Sequence, residues 1–224
     1  VFVTLYTALH QPAHVKNLIV LGSPIDSYAS GRIGQLFKKI NTLISRNHAL
    51  QKILYNGQIP KYFIHTSGRI NALGFKILDP KGWFESQKQF LMNLANTQTV
   101  YEHATMGDFL NHMLDYPGGI NQDMVLNVWL QNPLKNGVIQ LSDKAVHLKD
   151  ISCSLLVGAG SSDQIVTAEA AQPLCELTSS QDVTFTLIPG GHLGLMSSQK
   201  SANIFWPKLT TWLEQRSTLL KTDN

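Results

Sequence analysis

Two short apolar runs constrain this chain most, because each ends in a loop that carries one chemically active side chain. The run Cys153–Val157 leads through Gly158-Ala159-Gly160 to Ser161-Ser162-Asp163, and the run Val183–Ile188 leads to Pro189-Gly190-Gly191-His192-Leu193-Gly194. A helical pattern follows each loop. In Ala168–Leu177 the inward positions are Ala170, Ala171, Leu174 and Leu177; the second helix is expected at Ala202–Leu213. Strand, Asp loop, helix, strand, His loop, helix is the alternation of a parallel sheet covered on both faces. Ligands in such sheets sit beyond the carboxyl ends of the strands, where both loops are expected.

A third apolar run, Asn17–Leu21, lies near the start and is broken by Gly22-Ser23-Pro24. Before it, Val1–His10 has Leu5, Ala8 and Leu9 at helical spacing and ends at Gln11-Pro12. From residue 27 to residue 136 the pattern changes. Helical periodicity dominates, as in Ile33/Leu36/Phe37/Ile40/Leu43/Ile44 and Phe90/Leu91/Leu94, and aromatic residues are frequent. Breaks are expected at Asn56-Gly57, Pro60, Asp79-Pro80-Lys81-Gly82 and Pro117-Gly118-Gly119. About 110 residues between two core strands exceed what a crossover needs, so this stretch is expected to be an inserted helical cap. After it, Ile139-Gln140-Leu141 and Val146-His147-Leu148 are expected to pair as a hairpin. The expected organisation is a core of 1–26 with 137–217, a cap of 27–136, and a polar tail of 218–224.

Asp163 and His192 are the candidates for catalysis. An Asp on one strand-end loop can accept a hydrogen bond from the imidazole of the next, fixing its tautomer and stabilising the imidazolium formed in turnover. The alternative role for Asp163 is to cap the following helix, for which Thr167 is the better candidate. His192 sits among Gly190, Gly191 and Gly194, which let the backbone turn sharply. Imidazole is the natural general base near neutral pH. Nucleophile, then acid, then base is the chain order of α/β-hydrolases. This chain supplies the second and third members, but no Gly-x-Ser-x-Gly or Gly-x-Cys-x-Gly elbow occurs in it. Ser23 has a Pro where the elbow should continue, and Cys175 falls in a helix, so neither is expected to be the nucleophile. The chain reads as the C-terminal part of a larger catalytic domain.

Composition narrows the classes. Net charge is +3, from 18 Lys and Arg against 15 Asp and Glu, scattered without like-charge runs, so no nucleic-acid partner is indicated. Charged residues are only 15%, against about 25% in an average soluble protein. Such a deficit fits either area hidden against a partner or an Asn/Gln/Ser-rich surface. The two cysteines form no CxxC pair, and Cys153 is expected to be a small buried hydrophobe. The eight histidines are dispersed and form no HExxH motif, so no metal site is indicated. No apolar stretch reaches the roughly 18 residues of a transmembrane helix. No signal peptide opens the chain, which starts at Val1, and cytoplasm is the default location.

At these residues the chain resembles the polyhydroxyalkanoate synthase family, acyltransferases of the α/β-hydrolase superfamily. Tyr6-Thr7-Ala8-Leu9-His10-Gln11-Pro12 with Val15-Lys16-Asn17-Leu18 is similar to the helix after that family's Gly-x-Cys-x-Gly elbow and the strand beyond it. Pro24-Ile25-Asp26 matches the strand's Pro-hydrophobic-Asp ending. Tyr116-Pro117-Gly118 through Asn132, Leu134 and Gly137 resembles the exit from the cap. Val146-His147-Leu148-Lys149-Asp150-Ile151 matches the step before the acid strand, Pro189–Gly194 is nearly the family's His signature, and Trp212-Leu213 fits its closing helix.

The resemblance implies an α/β-hydrolase fold with a cap. It implies a Cys nucleophile, about four residues before Val1 by elbow spacing, with Asp163 and His192 as acid and base. It implies transfer of 3-hydroxyacyl groups from coenzyme A thioesters to a growing polyester, without a separate cofactor. A homodimer or a second synthase subunit, and attachment to polyester granules, are the implied partners and place. Two departures bear on the acid loop: Gln164 and Thr167 stand where the family has His and Pro. An ester hydrolase on the same scaffold, with Ser or Cys as nucleophile, and a non-catalytic homologue binding granules or another subunit are the alternative readings.

Overall fold

The structure is a computed structural model that describes residues 1–10, 15–55, 59–78, 80–141 and 144–218. The expected helix end at Gln11-Pro12, the break at Asn56-Gly57, Asp79 and tail residues 219–224 lie outside the described residues. The chain divides into two compact units: Val1–Ser30 with Pro133–Asn224, and Gly31–Asn132.

The first unit is built on a three-stranded parallel sheet. Its strands are β1 (Asn17–Leu21), β4 (Ser154–Gly160) and β5 (Val183–Ile188), in the order β1-β4-β5. β4 is buried along nearly its whole length, as a central strand with both faces covered must be. The strand reaches further than its apolar run. Gly158, Ala159 and Gly160, expected as a turn, continue it, because the sheet has no room for larger side chains there. A Cβ on Gly158 would lie 2.6 Å from Leu21 Cδ2 and 2.8 Å from Ile188 Cδ1. At the other end β4 starts at Ser154, so Cys153 precedes the strand and is half-buried rather than enclosed.

Helix α1 (Phe2–His10) buries Leu5 and Ala8. The hairpin forms from β2 (Val138–Leu141) and β3 (Lys144–His147), with Ile139 opposite Val146, both buried. The expected helix 168–177 is two short ones, α8 (Ala168–Ala171) and α9 (Leu174–Leu177). Pro173 lies between them, where it has no N–H to continue the ladder. Beyond β5 come α10 (Gly194–Ser197) and α11 (Gln199–Glu214), which starts three residues earlier than its apolar pattern. Ser198 caps α11 by accepting from Ser201 N. Leu156, Ile188, Leu195, Phe205, Leu209 and Trp212 form one buried cluster that fastens α10 and α11 to the sheet. At the far end of α11, Arg216 donates to both oxygens of Asp182, at 2.6 and 2.7 Å, and its guanidinium lies 4.3 Å from the Trp212 ring centre.

The second unit is helical: α2 (Gly31–Ser45), α3 (His48–Tyr55), α4 (Gly68–Leu78), α5 (Pro80–Met92), α6 (Thr97–Asn111) and α7 (Gly118–Asn121). α7 runs on as a π-helix over Gln122–Leu130. Of the apolar stripe on α2, Ile33, Phe37 and Ile44 turn inward, whereas Leu36, Ile40 and Leu43 are exposed. Phe37 packs against Trp129 with ring centres 5.5 Å apart. Two glycines let backbones touch within this unit. A Cβ at Gly68 would fall 1.7 Å from Met113 O, and one at Gly118 would fall 1.7 Å from Lys61 O. No helix among the described residues is long and apolar enough to cross a membrane.

Candidate active site

Parallel register brings the two active loops to one edge. Gly160 pairs with Ile188 at the ends of β4 and β5, so both strands exit on the same side. The backbone stitching then continues past the sheet: Ser161 N donates to Ile188 O at 2.8 Å and Ser162 N to Gly190 O at 3.1 Å. Gly190 adopts φ +124°, a conformation open to glycine, and thereby presents its carbonyl to the acid loop. The same crowding fixes Gly160. A Cβ there would lie 2.7 Å from Gly190 O and 3.0 Å from Asp163 Cβ.

This frame brings Asp163 and His192 together. His192 Nδ1 and Asp163 Oδ2 are 2.8 Å apart, across 29 residues of sequence. The Asp163 side chain is wholly buried, and its other oxygen, Oδ1, accepts from Ile165 N at 2.8 Å and Val166 N at 2.9 Å. Three donors on one buried carboxylate offset its desolvation and hold it in a single rotamer. The His192 side chain is 26% exposed, and among the described residues its Nε2 has no hydrogen-bond partner. With Nδ1–H donated to the carboxylate, Nε2 is left as the acceptor of a proton. Asp163 therefore caps its own loop and orients His192 at once. Thr167 does occupy the position before α8, but its hydroxyl makes no cap. It donates instead to Ala29 O at 3.0 Å, tying the acid loop to the segment beyond β1.

Neither rejected nucleophile is placed for attack. Ser23 is buried, and its hydroxyl has no partner among the described residues, so it is not bonded to His192. Cys175 lies on α9, where burial pushes its thiol up from the ordinary value and disfavours thiolate. Among the described residues no three His, Cys, Asp or Glu side chains gather as a metal site. The doubled N–H acceptance by Asp163 escaped the sequence reading, though an Asp followed by a tight turn is the usual signal for it. The tight approach of Gly22 to His192 escaped it too, because nothing in a strand-ending glycine says which side chain it faces.

The resemblance seen in the motifs extends along the chain. It is 28% identical over 223 residues to the poly(3-hydroxyalkanoate) polymerase subunit PhaC of Allochromatium vinosum, covering 96% of this chain and 57% of that protein. It is 26% identical over 162 residues to the subunit of the same name from Haloferax mediterranei, covering 72% of this chain and 32% of that protein. The chain thus spans between about a third and somewhat over half of the curated relatives it matches. No protein-family model matches it. Among solved structures it is similar to a monoacylglycerol lipase from Paleococcus ferrophilus, with TM-score 0.50 and 12% identity, over 95% of this chain and 64% of that one. The fold is that of an α/β-hydrolase, and in sequence the chain is similar to poly(3-hydroxyalkanoate) polymerase subunits named PhaC.

Proposed function

We propose that this chain carries the acid and base of a polyhydroxyalkanoate synthase, with Asp163 holding His192 as the general base. One observation carries the reading: the 2.8 Å bond between Asp163 and His192 leaves Nε2 open on the edge where both loops emerge. The similarity to polymerase subunits named PhaC supplies the reaction class.

In this reading a cysteine thiol carried outside the chain gives its proton to His192 Nε2 and attacks the carbonyl carbon of a 3-hydroxyacyl-coenzyme A. The C–S bond to coenzyme A breaks, and the departing thiolate takes the proton from Nε2. The acyl group is then held as an enzyme thioester. A hydroxyl group that gives its proton to the same nitrogen next attacks that carbonyl, forming the ester and releasing the enzyme sulfur, which takes the proton back from Nε2. Exchange between two sulfurs is nearly isoenergetic, which suits a thiol nucleophile to thioester substrates. Asp163 stabilises the imidazolium that forms within each of the two transfers.

The test uses the complete protein with 3-hydroxybutyryl-coenzyme A. Coenzyme A release with accumulation of polyester is expected. Background release alongside cleavage of simple esters would overturn the reading in favour of an ester hydrolase.

A further inference from the structure

We propose that Gly22 is a positioning residue for His192, its missing side chain leaving the space that lets the imidazole sit undisplaced. The proposal rests on the reading of His192 as the base, and extends it to a residue 170 positions earlier in the sequence.

β1 pairs with β4 up to Leu21 opposite Gly158, and Gly22 N donates to Gly158 O at 2.9 Å. Gly22 is therefore pinned to the central strand at the moment the chain leaves the sheet, on the edge from which the His loop also emerges. There it adopts φ +56°, in the left-handed region. A Cβ on Gly22 would stand 3.2 Å from His192 Cε1, 3.4 Å from Nδ1 and 3.4 Å from Leu195 Cδ2. The ring is held by the Asp163 carboxylate at Nδ1, and a side chain at Gly22 would press on it beside Cε1. A ring pushed there turns about its one hydrogen bond and carries Nε2 out of line. Leu195 Cδ2 stands as close to the same position, so an added side chain is confined on that side too. Only glycine meets both demands, the backbone angle and the missing side chain.

These two demands can be separated within this molecule. Gly31 has nearly the same angle, φ +54°, but a Cβ there would meet nothing within 4 Å. Gly31→Asn carries the backbone cost without the contact. Asn tolerates the left-handed region better than most residues, so Gly22→Asn mainly adds the contact.

The experiment compares Gly22→Asn, Gly22→Ala, Gly31→Asn and wild type in the complete protein. Turnover of 3-hydroxybutyryl-coenzyme A is measured with the ¹⁵N shifts of the His192 ring. For both Gly22 variants the expected result is a kcat lowered on the order of 10-fold, since the ring must give by a few tenths of an ångström where a displacement of about 1 Å costs about 100-fold, with KM little changed. Their Nδ1 and Nε2 shifts should move toward those of an imidazole not bonded to a carboxylate, while Gly31→Asn keeps wild-type shifts and rate. Unchanged ring shifts in Gly22→Asn, or a loss of rate that Gly31→Asn reproduces, would overturn the proposal. The ring shifts judge Gly22 even if the complete protein proves to have another activity, so failure of the positioning role and failure of the synthase reading are told apart.

Discussion

Asp163 Oδ2 and His192 Nδ1 stand 2.8 Å apart because the loops carrying them are stitched together before either side chain is reached, through Ser161 N to Ile188 O and Ser162 N to Gly190 O. The side-chain bond is a consequence of the β4–β5 register. Asp163→Asn keeps the shape but can present an amide N–H to Nδ1, which then favours the tautomer with the proton on Nε2. Turnover by the complete protein should fall by about 10³–10⁴-fold. His192→Ala should fall at least as far, and the two losses together should not add, since the residues act as one unit. Coenzyme A release measures the rate, and an unchanged far-ultraviolet spectrum shows that the fold is kept.

Much of this site is legible in the sequence, for a physical reason. Leu18–Leu21 is continuously apolar, and Val183–Ile188 is β-branched and aromatic with Thr184 and Thr186 as its polar residues, so their strands appear where the pattern puts them. Small residues are harder. Gly158-Ala159-Gly160 reads as a turn by local preference, yet packing between Leu21 and Ile188 makes it strand, because neighbours three-dimensionally close override what glycine prefers alone. Leu36, Ile40 and Leu43 show the opposite failure: they belong to an apolar stripe on α2 but lie exposed, since periodicity cannot say how wide the buried face is.

The two glycines of β4 should respond differently to a methyl group. At Gly160 the obstacle is Gly190 O, a backbone atom held in the stitching between the loops. At Gly158 the obstacles are Leu21 Cδ2 and Ile188 Cδ1, the tips of flexible side chains. Overpacking costs about 1–3 kcal/mol. Gly160→Ala should lie at the upper end and also lower turnover by parting Asp163 from His192, whereas Gly158→Ala should lie at the lower end with turnover largely kept. Urea midpoints and rates for both variants check the order.

Acid should loosen the end of α11. Hydrogen bonding to Arg216, then to Ser154, holds the Asp182 carboxyl at about 2, below its ordinary 3.8. A carboxylate depressed on folding contributes stability that is complete above its unfolded value and is lost as pH falls through the folded one. The loss therefore spans roughly pH 4 to 2. It should be small, because the Asp182 side chain is 44% exposed and the pair is screened by water. Asp182→Asn should flatten the stability curve in that window and lower it slightly near neutral pH, where the pair's contribution is complete, as followed by thermal melting between pH 2 and 7.

Thr167 ties the acid loop to Ala29, and a proline at this position tests what that tie does. Its φ of −67° already suits proline, and its N–H donates no backbone hydrogen bond among the described residues. Thr167→Pro would thus remove the 3.0 Å bond to Ala29 O and gain rigidity in the unfolded chain. A hydrogen bond of this kind contributes about 0.5–1.5 kcal/mol and a compatible proline about 0.4–1 kcal/mol, so the two nearly cancel. Thr167→Val loses the bond with no such gain and should be destabilised by about 1 kcal/mol. Asp163 keeps its bonds to Ile165 N, Val166 N and His192 in all three proteins, so turnover should change less than threefold in either variant. A large fall in rate in Thr167→Val, with the proline variant normal, would mean instead that the link to Ala29 holds the acid in place, and that proline restores the same loop by stiffness alone.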